Sequence, residues 1–98
     1  MANKLEEARK IINEVDAQMA ELFLRRMEAA RMVSHYKREH GLPILDARRE
    51  EQVIAQNAAR VPDETLRGYY VEFLKNTMAL SREYQQHLGS EAAQHTEP

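Results

Sequence analysis

An all-α fold is predicted for this 98-residue chain: three helices, one very long, one short and one of medium length, with two chains intertwined as a homodimer. Three observations lead there. Charged residues make up 31% of the sequence and aromatics 6%, with no tryptophan, which suits well-solvated helices better than a sandwich or barrel. Three glycines and three prolines leave few turns, so the segments between them must be long. Over the first third of the chain, apolar residues recur at alternating steps of three and four, the period of one helix face.

The same composition narrows the function. Ninety-eight residues make one domain, so a two-domain enzyme with a separate cofactor fold is excluded. Without cysteine there is no disulfide framework, thiolate zinc site, iron–sulfur cluster or cysteine nucleophile. A net charge of −2 disfavours nucleic-acid binding, which usually comes with a basic excess. The first residues contain no apolar leader core, and no apolar run approaches membrane-spanning length, so the chain is read as soluble and cytoplasmic, with no membrane partner.

The first helix is expected from about Leu5 to Arg38, with Leu5, Ala8, Ile12, Val15, Met19, Leu22, Ala30 and Val33 on one face. At 1.5 Å per residue it is about 50 Å long. A compact chain of this size has a radius of gyration near 13 Å. One chain cannot cover such a stripe, and pairing two long helices solves the problem. The stripe also carries an anomaly. Arg26, four residues after Leu22, and Lys37, four after Val33, fall near its centre, while Arg9 lies at its edge. Arg9 can snorkel to water. A cation in the middle of an apolar face needs an anion, and a bound anionic ligand is the reading preferred to an internal ion pair.

Gly41 and Pro43 break the pattern, and the second helix is expected from Asp46 to Ala59. Asp46 is placed to cap it. Arg49 and Glu50, four residues before Val53 and Ile54, point inward with them. Val61-Pro62-Asp63 breaks the chain again. The third helix, Asp63 to Leu88, is expected to bury Leu66, Tyr70, Phe73, Thr77, Leu80, Tyr84 and Leu88, with Ser81 and Gln85 flanking that stripe. Residues 1–88 form the domain, and 89–98, small and polar, are expected to be a flexible tail. His35, His40, His87 and His95 have no metal-ligand spacing, and no Gly-rich phosphate loop or nucleophile triad is present, so no metal or cofactor site is expected.

Taken in order, Arg9, Arg26 and Lys37, then Asp46-x-x-Arg49-Glu50, then Ser81-x-x-x-Gln85 form a set that resembles the all-helical chorismate mutases, the short monofunctional bacterial class. The resemblance runs from about Leu5 to Leu88 and includes Arg9-x-x-Ile12-x-x-x-Asp16, the pair Arg25-Arg26 and the loop Gly41-Leu42-Pro43-Ile44. No single motif is specific; the ordered series across three helices carries it. The resemblance implies a domain-swapped dimer with two active sites. It implies rearrangement of chorismate to prephenate in phenylalanine and tyrosine biosynthesis, without metal or cofactor. It further implies that Arg26 and the partner chain's Arg9 bind the two substrate carboxylates with help from Ser81. Lys37 and Gln85 would donate to the ether oxygen, Glu50 with Asp46 nearby would hold the ring hydroxyl, and Arg49 would brace the site.

Geometry supports the cross-chain part independently, because Arg9 and Arg26 are about 25 Å apart on a straight helix and cannot clamp one small dianion. Two alternatives stay open at this point. An isochorismate-pyruvate lyase uses a similar cationic pocket on the same fold, and a non-catalytic helical dimerisation module would account for the stripe but not for the cations at its centre.

Overall fold

A computed structural model describes residues 3–94. Within them the chain forms three helices, α1 (Lys4–Glu39), α2 (Ala47–Ala58) and α3 (Glu64–Gln94). Each start is fixed by a short polar side chain. Asn3 Oδ1 accepts from the Glu6 amide at 2.9 Å, Asp46 Oδ1 from the Arg49 amide at 3.0 Å, and Asp63 Oδ1 from the Leu66 amide at 2.9 Å. Each bond satisfies a donor that the first turn of a helix leaves free. Glu6 and Glu7 in the first turn of α1, and Lys37 and Arg38 in its last, complement the helix dipole.

The end of α1 depends on Gly41. Its φ of 63° lets the Leu42 amide fold back onto the Lys37 carbonyl at 2.8 Å, and Pro43 then prevents the helix from resuming. The second connection is tied down by Arg67, whose guanidinium donates to the Val61 and Pro62 carbonyls, both at 2.9 Å.

Helix α3 continues six residues beyond Leu88, so the tail expected from Gly89 onward is helical as far as Gln94; the rest of it, 95–98, lies outside the described residues. A glycine inside a helix costs only about 1 kcal/mol relative to alanine. Ala92 and Ala93 favour the helix, and His87 and Glu91 approach to 3.0 Å across Gly89.

Helix α3 packs against both α1 and α2. The side of α3 that is buried differs from the expected one. Leu74, Met78, Ser81 and Gln85 are buried, whereas Phe73 and Leu80 are about half exposed (50% and 51%) and Leu66 is more so. Two faces of α3 are apolar enough to pack. The one turned inward carries two polar residues, and the expected stripe is covered only in part, with Tyr70, Thr77, Tyr84 and Leu88 half-buried.

The chain is strongly extended, at 66 × 29 × 14 Å with a radius of gyration of 17.8 Å, against about 13 Å for a compact chain of similar length. Helix α3 covers α1 only towards its C-terminal end. Every residue from Asn3 to Arg26 is exposed, so Leu5, Ile12, Val15, Met19 and Leu22 present the predicted stripe to water. No helix among the described residues is long and apolar enough to cross a membrane.

The role assigned to Gly41 is open to a direct test. A Cβ there would meet no atom within 4 Å, so the whole cost of Gly41→Ala lies in the backbone. Chemical denaturation should show a loss of about 1 kcal/mol, the cost of a left-handed residue with a side chain.

Candidate active site

Where the C-terminal half of α1 passes the N-terminus of α2 and the C-terminal half of α3, the three helices enclose a cavity of about 360 Å³. Its apolar wall is formed by Ala29, Ala30, Val33, Ile44, Val53 and Met78. Its polar lining consists of Arg26 and Lys37 from α1, Asp46 as the cap of α2, Arg49 and Glu50 from the first turn of α2, and Ser81, Arg82 and Gln85 from α3. Seven of the eight site residues expected from the sequence therefore border one space. The eighth, Arg9, does not line it; it is exposed on α1, about 25 Å along the helix from Arg26.

Lys37 is half-buried, and its ammonium donates to the Ile44 carbonyl at 2.6 Å. That bond uses one of three N–H groups and aims the rest of the cation into the cavity. Pro43 and the turn at Gly41 bring Ile44 back over the last turn of α1, so the loop fixes the lysine. Arg26, by contrast, is exposed in the single chain rather than buried as its place on the stripe predicts. The reason is that α3 reaches α1 only beyond this point. Among the described residues, the guanidinium groups of Arg26 and Arg49 have no hydrogen-bond or ion-pair partner.

Asp46 acts as the α2 cap that its position predicts, and its carboxylate also borders the cavity. Glu50 is turned inward and carries an ion pair with Arg82, whose Nη1 donates to both carboxylate oxygens. Arg82 is the lining residue that the sequence reading missed. A signal for it exists: an inward carboxylate requires a counter-charge, and Arg82 directly follows Ser81 on the helix that faces α2.

Ser81 and Gln85 sit at the centre of the packed face of α3, not at its edge. Gln85 Nε2 donates to Ser81 Oγ at 3.3 Å, while Gln85 Oε1 is buried with no hydrogen-bond partner among the described residues. Buried acceptors are ordinarily satisfied, so this orphan sets Gln85 apart among the residues at the cavity wall.

Four cations and two carboxylates line the space, leaving two net positive charges in a half-enclosed site. That excess complements a small dicarboxylate. Tested against protein-family models, the chain matches chorismate mutase type II over residues 8–86. Neither the curated proteins nor the solved structures give a match. With the match covering well over half its length, the chain belongs to the chorismate mutase type II family and is an enzyme that converts chorismate to prephenate.

Proposed function

We propose that the rearrangement takes place in the cavity between the three helices, that two chains pair along α1, and that each cavity is completed by the partner subunit's Arg9. The observation that carries this reading is the pair of unpartnered guanidinium groups, Arg26 and Arg49, sharing one apolar-walled space with Lys37. A dicarboxylate neutralises that charge. In water such a site would gain little from its charges; with solvent displaced by substrate and partner chain, each interaction strengthens.

Pairing follows from the exposed stripe. An uncovered run of Leu5, Ile12, Val15, Met19 and Leu22 along one helix is unfavourable in water, and two antiparallel copies can cover each other. The antiparallel arrangement brings the N-terminal half of one α1 over the C-terminal half of the other. Arg9 then reaches a ligand that its own chain holds out of reach.

The reaction is unimolecular. A C–C bond forms between the enolpyruvyl methylene carbon and the ring while the ether C–O bond breaks, so no nucleophile is required. The flexible arm must be held over the ring in a chair-like geometry, which is a matter of positioning. Arg26 and the partner subunit's Arg9 bind the two carboxylates with the help of Ser81. Arg49 braces the pocket, and Glu50, with Asp46 nearby, accepts the ring hydroxyl. Negative charge grows on the ether oxygen as the C–O bond lengthens, and Lys37 and Gln85 donate to it. Lys37 is suited to this because the Ile44 carbonyl already fixes its position.

Gln85 Nε2 carries two N–H groups: one donates to Ser81 Oγ at 3.3 Å and the other is the donor for the ether oxygen, which leaves the Ser81 hydroxyl proton for a carboxylate. Because Gln85 is neutral, the donor is present at any pH near neutrality; a carboxyl group there would have to be protonated first.

Equilibrium sedimentation at micromolar concentration should give twice the 11.4 kDa chain mass, and a monomer would remove the shared site. Lys37→Ala should remain folded and lose about 10²–10³ in kcat, the usual cost of one preorganised donor; near-normal turnover would take Lys37 out of the mechanism. Arg9→Ala and Lys37→Ala should each be nearly inactive alone. Unfolded together and refolded, they form heterodimers with one intact site, and part of the activity should return. No recovery would refute the cross-chain role of Arg9.

A further inference from the structure

The Glu50–Arg82 ion pair joins α2 to α3, and it stands on the cavity wall with its side chains 24% and 32% exposed. Glu50 and Arg82 also line a second hollow, with Leu45, Ile54 and Met78 and with Glu51 and Lys75, whose ammonium is paired with Glu72 at 3.6 Å. Glu50 therefore borders both hollows. Nothing in the backbone of α2 dictates which hollow it faces, because a glutamate in a first helical turn has several open rotamers. Arg82 decides it. The guanidinium arrives from α3, engages both oxygens through Nη1, and holds the carboxylate at the wall the two hollows share. A charge-assisted contact of this kind is stronger and more directional than a neutral hydrogen bond.

We infer that Arg82 is a positioning residue for the mutase reaction, acting through Glu50 by fixing its carboxylate where the ring hydroxyl of the substrate is received. This rests on the role proposed for Glu50. Arg82 need not touch the substrate. Its effect follows from the chemistry of the hydroxyl, which takes no part in the bonds made or broken. A contact to it is nearly equal in ground and transition states, so losing that contact raises KM more than it lowers kcat.

The test is a double-mutant cycle on the full-length enzyme with chorismate as substrate. Arg82→Leu should lower kcat/KM by roughly tenfold to a hundredfold, the scale of a misplaced binding group, with most of the change in KM. Arg82→Lys keeps the charge but not the planar, rigid head, and should recover only part of the loss. In a Glu50→Gln background, Arg82→Leu should change kcat/KM less than about twofold, because the carboxylate it orients is gone. An equal loss in both backgrounds overturns the proposal, since Arg82 would then act on something other than Glu50. So does a loss confined to kcat, which would mean that Arg82 meets the developing charge itself. A Glu50→Gln enzyme with unchanged kcat/KM fails differently, removing the role of Glu50 on which the inference stands. If Arg82→Leu does not fold, Arg82→Gln gives the same comparison with a shape closer to arginine.

Discussion

Helix α1 extends about 54 Å at the ordinary helical rise, and α3 covers only its C-terminal part. This mismatch governs the rest of the molecule. The first half of α1 is exposed along its whole length, and the cavity begins at Arg26, where that exposed run ends. Arg26 stands at this boundary. It is the first cation along the chain to line the cavity, and it ends the unbroken exposed run that starts at Asn3.

The crossing of α1 and α3 explains why there is room for a ligand. The α1 residues buried there are Ala30 and Ser34, and the buried positions of α3 include Ser81. Small buried residues leave space beside them, and long side chains, Arg26 and Lys37 from α1 and Arg82 and Gln85 from α3, border that space. Ser34 is satisfied without the ligand, since Arg38 donates to its hydroxyl at 2.6 Å. Gln85 Oε1 has no partner among the described residues, so the packed face of α3 carries an acceptor that the chain does not complete.

Much of this was readable from the residues. Helix ends were legible because they depend on local chemistry: Asp46 and Asp63 cap, Gly41 reverses the chain, and Pro43 and Pro62 prevent continuation. Lys37 and Glu50 were legible because a charge on an inward helix face is a conflict that a sequence displays openly; Arg26 and Arg49 border the cavity as well but are exposed, not turned inward as expected. The packed face of α3 was not. Its two candidate stripes lie side by side on one helix, and hydrophobicity favours Phe73 and Leu80, whereas the choice is made by tertiary contact with α1 and α2, which a period of 3.6 does not encode. Ser81 and Gln85 were undervalued for the same reason. The extension to Gln94 was missed because Gly89 and Ser90 look like a stop, although a few tenths to one kcal/mol of intrinsic preference is easily outweighed by neighbouring alanines and an i, i+4 contact.

Arg82 is the most instructive omission. Considered alone, an arginine on a solvated-looking flank of a helix is unremarkable, and its partner is thirty-two residues away. Glu50 posed the question, since an inward carboxylate near an anionic substrate is repelled by the very ligand it must help to bind. A cation paired with the carboxylate removes the contradiction: it offsets the like-charge repulsion, while the remaining lone pairs of the oxygens can still accept a hydroxyl. A pocket for a dianion that also needs an acceptor for a neutral alcohol therefore requires a counter-charge dedicated to that acceptor, separate from the cations that hold the carboxylates. Within the described residues, Arg82 is the group so placed.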